Sequence, residues 1–326
     1  MENRKTILIL TTGGTIAGKG VPGDITGYTP GAVTAGDLLG GLTVPSGVSL
    51  ETVEVCSKNS DDIDCGDWHK LLTELRSGME RSDIAGMVVL HGTDTMEETA
   101  FLLSLTLEVK KPVVITGSMR PSTAISADGP LNIKNAMTLA LCEKAARCGV
   151  LVTMDGGVYT AHGVTKRASY GSDAFEDEFY TPGRIFDDEV YLDFPDAGEP
   201  VFKDLDLSFP LPGVPVVYFT AGSDPKLLSL AAGISGGLVI AGAGAGEYSE
   251  GFGKVIEELS IPVVISSRTG RSYITEKMLL SERTVPAGAL SPVKAAILLR
   301  LAIHAGYDAQ GIRELFESGH GTAFNH

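Results

Sequence analysis

Three polar clusters in the sequence contain the residue types from which a nucleophilic site could be built. The first, TTGGTIAG (11–18), offers threonine hydroxyls beside glycine backbone, but no histidine, cysteine or carboxylate that would activate them. The second, HGTDTMEET (91–99), adds threonines and an aspartate, and the third, DGGVYTAHGVTK (155–166), ends in a lysine. A threonine hydroxyl becomes a nucleophile when a neighbouring base removes its proton. The clusters together supply a threonine, a lysine that could act as base and an aspartate that could orient the lysine.

The segments around these clusters predict the elements that would bring them together. Each cluster follows a short apolar run that is continuous rather than alternating, as in strands buried on both faces. Such runs are TILIL (6–10), MVVL (87–90), PVVIT (112–116), GVLVTM (149–154), VPVVYF (214–219), GLVIA (237–241) and IPVVIS (261–266). Amphipathic segments between the runs, DWHKLLTEL (67–75), PLNIKNAMTLALCEKAAR (130–147) and SPVKAAILLRLAIHAG (291–306), predict helices. We therefore expect an α/β fold in which helices flank a parallel sheet and the clusters meet beyond the carboxyl ends of its strands.

One acidic, proline-rich segment interrupts this alternation. From about residue 187 to residue 213 the sequence has no helical period, which is typical of a linker. We expect an N-terminal α/β domain over residues 1–190 that carries the active site, a linker over 191–213, and a smaller α/β domain over 214–326.

Charge and cysteine content argue against several kinds of partner and site. The chain has 26 basic and 41 acidic residues and a net charge of −15, which disfavours nucleic acids and anionic membrane surfaces as partners. Four cysteines without a CxxC pair indicate reduced thiols rather than a metal site. The apolar run at 7–10 is too short for a signal peptide, and no stretch is long enough to span a membrane. We expect a cytoplasmic protein that binds no metal.

Two partial motifs suggest phosphate binding as an alternative. Residues 13–19 spell GxxxxGK and residues 18–23 spell GxGxxG, but Gly20 stands where a P-loop has serine or threonine. Prolines and glycines follow both motifs where a helix would be required. Asp155 ends an apolar run and could imitate a magnesium-binding aspartate, so nucleotide binding remains a remote alternative.

The candidate residues of the other clusters also have structural interpretations. Asp94 or Thr95 could merely cap the helix that follows them, and Lys166 could be a solvated surface lysine. His91 and His162 have no serine or cysteine at the spacing of a catalytic triad, and histidines in such positions are more often structural than catalytic.

Four motifs resemble those of the bacterial-type L-asparaginases: TGGTIAG (12–18), HGTDTMEETA (91–100), GSMRPSTAISADGPLN (117–132) and VTK (164–166). The similarity runs through the whole chain, including VPAGALSP (285–292), and without an export signal the chain resembles the cytoplasmic type I branch. The resemblance implies hydrolysis of the side-chain amide of L-asparagine to aspartate and ammonia, without a cofactor.

The resemblance also implies roles for the residues that match the motifs. Thr15 would be the nucleophile, assisted by Tyr28 on a loop that closes over the site. Thr93, Asp94 and Lys166 would form a second cluster, in which the lysine lowers the cost of deprotonating a hydroxyl. Backbone N–H groups near Gly14 and Thr93 would stabilise the tetrahedral oxyanion.

Substrate binding and assembly follow from the same resemblance. Asp94 would hold the α-ammonium group of the substrate, beside Thr93, and Ser60 would receive its α-carboxylate, with Asp61 next to it. Glu276 matches an acidic residue that a neighbouring subunit donates, which implies a homodimer or a homotetramer.

Two related activities remain open. One is a glutaminase-asparaginase, which also hydrolyses glutamine. The other is the ammonia-releasing subunit of a glutamyl-tRNA amidotransferase. That subunit carries an additional N-terminal domain, whereas the first predicted strand here begins near residue 6.

Overall fold

A computed structural model describes residues 5–20, 28–29, 39–181 and 183–318 of the protein. The chain divides into two compact units, Met1–Ser208 and Phe209–His326. The division falls inside the segment 191–213 that the sequence predicts as a linker, and most of that segment groups with the first unit. Both units combine helices with β-strands, so the predicted α/β class is confirmed.

The first unit is built around one large sheet. The strands described in this unit are β1 (Lys5–Gly13), β2 (Lys19–Gly20), β3 (Tyr28–Thr29), β4 (Val48–Lys58), β5 (Ile84–Leu90), β6 (Val113–Thr116), β7 (Val150–Met154), β8 (Gly157–Thr160), β9 (Val164–Lys166), β10 (Phe175–Asp177), β11 (Gly183–Phe186) and β12 (Glu189–Tyr191). Eight of these form a sheet in the order β12-β11-β8-β7-β6-β5-β1-β4, while β2 with β3 and β9 with β10 form two-stranded ribbons.

The large sheet is parallel at one side and antiparallel at the other. Neighbouring strands from β4 through β1, β5 and β6 to β7 are parallel, as the continuous apolar runs predict. The strands β7, β8, β11 and β12 pair antiparallel. This antiparallel edge was not predicted, since its strands are short and β11 alternates buried with exposed residues. It extends the sheet to Tyr191, just beyond the start of the proline-rich segment.

Three α-helices lie within the described residues of the first unit. They are α1 (Cys65–Glu80), α2 (Met96–Thr106) and α3 (Gly129–Ala140). Asp64 caps α1 by accepting hydrogen bonds from the backbone N–H groups of Gly66 and Asp67, which satisfies donors that the helix leaves unpaired. Most side chains of α2 are buried. The segment 130–147, predicted as one helix, is α-helical only to Ala140 and continues as a 3₁₀ helix over Glu143–Cys148.

An apolar cluster joins α3 to the large sheet. It includes Ile7, Val88, Val114, Ile133 and Met137, all nearly inaccessible to water. Burying an aliphatic side chain of this size stabilises the folded state by about 1.5–3 kcal/mol. The cluster therefore fixes the sheet whose strand ends carry the polar residues.

The second unit contains a four-stranded parallel sheet with its own core. Its strands, in the order β13-β14-β15-β16, are β13 (Val216–Tyr218), β14 (Leu238–Gly242), β15 (Val263–Ser267) and β16 (Thr284–Pro286). Its α-helices are α4 (Lys226–Ala232), α5 (Glu250–Glu258), α6 (Pro292–His304) and α7 (Ala309–Glu317). Phe252 of α5 belongs to the same buried apolar cluster as Leu238 and Ile240 of β14. No helix within the described ranges has both the length and the hydropathy needed to cross a bilayer.

Candidate active site

Thr15 lies in the turn at the carboxyl end of β1, where it begins a 3₁₀ helix over Thr15–Ala17. The two preceding residues have left-handed backbone angles, with φ of +102° at Gly13 and +77° at Gly14. Glycine adopts these angles at little steric cost, so the double glycine makes the turn possible. Thr15 is 7% exposed.

Two further loops approach this turn closely, and glycines make the contacts. A Cβ atom at Gly14 would lie 2.5 Å from Cα of Gly92, and one at Gly92 would lie 2.8 Å from Oγ of Ser60. Because β1 lies between β4 and β5 in the sheet, the turn after β1 is flanked by the loops that follow those two strands. The turn with Thr15 and the loops with Ser60 and Thr93 therefore adjoin, which explains the glycines at both contacts.

Lys166 connects the third cluster to the second. Its Nζ donates a hydrogen bond of 2.9 Å to Oγ1 of Thr93 and forms an ion pair of 2.5 Å with Oδ1 of Asp94. The side chain of Lys166 is 15% exposed and that of Asp94 is 68% exposed. The ammonium is thus mostly enclosed, while the carboxylate remains open to a ligand.

These contacts do not support the simpler interpretations of Asp94, Thr95 and Lys166. The helix α2 begins after Thr95, but no side chain there caps it. The hydroxyl of Thr95 instead donates to the carbonyl oxygen of Ser60 at 2.7 Å, and Asp94 pairs with Lys166. Lys166 is largely buried and so is not a solvated surface lysine.

A buried carboxylate holds the segment that carries Lys166. Oδ2 of Asp177 on β10 accepts hydrogen bonds from the backbone N–H and the hydroxyl of Thr160, at 2.8 and 2.7 Å. Its Oδ1 accepts from the backbone N–H groups of Phe179 and Tyr180, both at 2.9 Å. These bonds tie the end of β8 to the residues after β10, and Lys166 lies between them on β9.

His162 and Phe101 provide a second connection for the same segment. The ring of His162, between β8 and β9, packs edge-on against Phe101 of α2 with centroids 5.2 Å apart. Because α2 begins just after Asp94, this contact connects the segment that carries Lys166 to the helix that follows the loop of Thr93 and Asp94. His162 thus makes a packing contact with α2.

The 117–132 motif supports the turn around Thr15 from another side. The hydroxyl of Ser122 donates to the carbonyl oxygen of Gly18 at 2.9 Å. The carboxylate of Asp128 accepts the backbone N–H groups of Met119 and Arg120, which closes the loop that presents Ser122. The roles of Ser122 and Asp128 were not predicted from the sequence.

Ser60 is buried in a 3₁₀ helix over Ser60–Asp62, and Asp61 beside it is exposed. Tyr28 pairs with Gly20 through the backbone of β3 and β2, and its side chain lies outside the described part of the structure. Glu276 lies in the second unit, where its carboxylate forms an ion pair of 2.6 Å with Arg313.

The phosphate-binding alternative lacks the helix that it requires. After Gly14 the described chain makes one 3₁₀ turn and then enters β2, so no helix N-terminus faces the loop. The backbone N–H of Asp155 donates to Asn132, and its carboxylate accepts from Ser172. Within the described ranges, no group of three or more histidine, cysteine or acidic side chains is arranged to hold a metal ion.

Known proteins match this chain along nearly its whole length. The asparaginase N-terminal family model matches residues 6–195, and the glutaminase/asparaginase C-terminal domain model matches residues 213–316. L-asparaginase 2-3 of Saccharomyces cerevisiae is 35% identical over 97% of this chain and 91% of that protein. A probable periplasmic L-asparaginase of Haemophilus influenzae is 34% identical over 95% of this chain and 92% of that protein.

A solved structure shares the fold as well as the sequence. The crystal structure of a probable cytoplasmic L-asparaginase from Campylobacter jejuni has a TM-score of 0.87 and 32% identity, and the match covers 96% of this chain and 99% of that one. Both family models, the named relatives and the shared fold agree with one another. The chain belongs to the asparaginase family.

Proposed function

We propose that the protein is an amidohydrolase that converts L-asparagine to L-aspartate and ammonia, with Thr15 as its nucleophile. The observation that carries the proposal is the contact of Lys166 with Thr93 and Asp94, beside the turn that presents Thr15. The relatives named above are an L-asparaginase and two probable L-asparaginases, which supports the same substrate here.

The reaction proceeds in two steps through an ester. In the first, Oγ1 of Thr15 attacks the side-chain amide carbon of asparagine, the C–N bond breaks, and the nitrogen leaves as ammonia after gaining a proton. In the second, water attacks the acyl-threonine, and aspartate is released with the threonine hydroxyl restored. Tyr28 assists deprotonation of Thr15, and the Thr93–Lys166 pair moves protons on the other side of the reacting carbon.

Substrate binding uses the polar groups around the same loops. The exposed carboxylate of Asp94 attracts the α-ammonium group, and the region of Ser60 and Asp61 receives the α-carboxylate. Holding both groups places the amide next to Thr15, which makes the attack close to a unimolecular step. Thr93 contributes to this binding as well as to catalysis.

The assembly and the location are further parts of the proposal. We place Glu276 at the active site of a neighbouring subunit in a homodimer or homotetramer, on the basis of the family resemblance. The named Campylobacter jejuni relative, a probable cytoplasmic enzyme, supports a cytoplasmic location, although a relative that is 34% identical is a probable periplasmic enzyme. Size-exclusion chromatography with light scattering tests the assembly, because a fully active monomer would contradict it.

Glutamine is the competing substrate. It is longer by one methylene group, which typically changes selectivity by about 1–3 kcal/mol. The related ammonia-releasing role in glutamyl-tRNA amidation predicts that ammonia formation depends on a partner enzyme and charged tRNA. Nucleotide binding has no support from the loop geometry described above.

Steady-state ammonia release tests the function directly. We expect the purified enzyme to release ammonia from asparagine without any partner, and we expect Thr15→Ala to abolish this release. Thr15→Ser is the matched control, because it keeps the hydroxyl and should retain measurable turnover. Wild-type turnover in Thr15→Ala would exclude Thr15 as the nucleophile. Binding of ATP in a calorimeter without ammonia release from asparagine would contradict the proposed function.

A further inference from the structure

His91 is a buried histidine that the proposed mechanism does not use. It follows β5, and its ring is completely inaccessible to water. Its Nδ1 lies 2.7 Å from the carbonyl oxygen of Gly92, and its Nε2 lies 2.9 Å from the hydroxyl of Thr99. That hydroxyl also accepts a hydrogen bond of 2.9 Å from the indole N–H of Trp68 on α1.

The partners of the ring determine which of its nitrogens carries the proton. The carbonyl oxygen of Gly92 only accepts hydrogen bonds, so Nδ1 must be the N–H donor. Trp68 only donates, so the Thr99 hydroxyl accepts from the indole and donates its own proton to Nε2. Burial lowers the pKa of His91 to about 4, which keeps the ring neutral at neutral pH. The direction of every hydrogen bond in the chain from Trp68 to Gly92 is therefore determined.

The bond to Gly92 also determines the direction of the next N–H group. The Gly92–Thr93 peptide is trans, and in a planar trans peptide the C=O and N–H bonds point in opposite directions. Since the carbonyl oxygen of Gly92 faces His91 in the protein interior, the N–H of Thr93 points away from it. No described residue accepts a hydrogen bond from this N–H.

The backbone N–H of Thr93 therefore differs from that of Gly14, the other donor near the nucleophile. Gly14 donates its N–H to the carbonyl oxygen of Lys58 at 2.9 Å, so that donor is already engaged. Gly92, whose carbonyl is held by His91, contacts Gly14 immediately before Thr15. Glycine rotates more freely than other residues, so the orientation of this peptide depends on an external contact.

We propose that His91 is a positioning residue, which holds the Gly92–Thr93 peptide so that the Thr93 N–H faces the oxyanion formed when Thr15 attacks an amide. This inference rests on the proposed function of Thr15. An oxyanion forms only as the transition state is approached, so this donor contributes to kcat more than to KM. Thr99 and Trp68 hold the histidine ring in the orientation that makes the contact.

Two substitutions of His91 separate positioning from general stability. In His91→Asn the side-chain amide can place an N–H near the position of Nδ1, which preserves the bond to Gly92. In His91→Gln the amide reaches the position of Nε2, which preserves the bond to Thr99 and loses the one to Gly92. We expect His91→Asn to keep kcat within about threefold of wild type and His91→Gln to lower it about tenfold or more, with KM changed less than about twofold.

A control variant and the possible outcomes separate a failure of the His91 inference from a failure of the proposed function. His69→Gln, on α1 and outside the site, should leave both kinetic constants unchanged. A kcat near wild type in His91→Gln would overturn the inference, as would losses in both His91 variants that simply follow their melting temperatures. If wild-type enzyme releases no ammonia from asparagine, the proposed function fails, whereas an inactive Thr15→Ala with fully active His91 variants refutes only the role of His91.

One measurement on the wild-type protein does not depend on whether the variants fold. Nitrogen-15 NMR of the His91 ring at neutral pH should show a protonated Nδ1 and an unprotonated Nε2. The opposite tautomer would overturn the inference, because Nδ1 could not then donate to the carbonyl oxygen of Gly92.

Discussion

Replacing Lys166 with methionine removes the cation that joins two of the predicted loops. The substitution deletes the hydrogen bond of 2.9 Å to Thr93 and the ion pair of 2.5 Å with Asp94, while methionine keeps most of the buried stem. Loss of a positioned acid–base group typically costs a factor of about 10²–10⁴ in rate. We therefore expect kcat to fall by at least about a hundredfold, or about 3 kcal/mol of transition-state stabilisation.

The effect on stability should be much smaller than the effect on rate. Because the carboxylate of Asp94 is 68% exposed, water and salt screen the ion pair, and such pairs contribute about 0–1 kcal/mol. The free energy of unfolding, measured by urea denaturation, should therefore change by no more than about 1 kcal/mol. A large loss of kcat with little loss of stability would identify Lys166 as part of the chemistry.

Ammonia release over a range of asparagine concentrations provides the kinetic measurement. Lys5→Met is the matched control, because it removes an exposed ion pair with Glu143 at the opposite end of β1. Its kcat should equal that of wild type. If Lys166→Met also kept kcat within about threefold, the lysine would be a bystander and the account of the second cluster would be wrong.

Three further substitutions test how the site is held. Asp177→Ala removes the acceptor of three backbone N–H groups, of which that of Thr160 is buried and those of Phe179 and Tyr180 are half-buried. It should lower the free energy of unfolding by about 3–5 kcal/mol in urea denaturation, and a change below about 1 kcal/mol would contradict this. Gly14→Ala should abolish ammonia release, because its Cβ would lie 2.5 Å from Cα of Gly92. Gly47→Ala is the control: Gly47 has a similar φ and open space around it, so this variant should still release ammonia. Equal activities of the two variants would contradict this. Burial lowers the pKa of His91 to about 4, so the free energy of unfolding should fall by up to about 3 kcal/mol as the pH decreases from about 6.5 to 4. In His91→Gln this decrease should be absent when unfolding is measured at both pH values.

The parallel part of the first sheet could be predicted because each buried strand has a continuous apolar run. The strands β5, β6 and β7 lie where MVVL, PVVIT and GVLVTM predict them. Polar clusters after such strands collect at one sheet edge, so the approach of Lys166 to Thr93 could also be predicted. The boundaries of the linker stay a prediction, and so do the roles of Thr15, Tyr28, Ser60 and Glu276 in chemistry and binding.

The supporting contacts could not be predicted, because their sequence signals are weak. The strands β8 to β12 have three or four residues each, lie beyond the apolar runs and depend on contacts distant in sequence. Asp177 lies in DAFEDEFY among acidic residues of the same appearance, and only the fold distinguishes its buried carboxylate. Ser291 occupies the N-cap position of α6, yet its hydroxyl has no hydrogen-bond partner among the described residues.

Trapping the covalent intermediate tests the central claim most directly. Lys166→Met should slow the proton transfers that release the product, so enzyme mixed with asparagine and quenched in acid within the first turnovers should retain acyl groups. Peptide mass spectrometry is expected to find the mass of asparagine less ammonia on the peptide that contains Thr15, and not in Thr15→Ala. Release of ammonia in the first turnover without an adduct on Thr15, or with the adduct on another residue, would contradict the account.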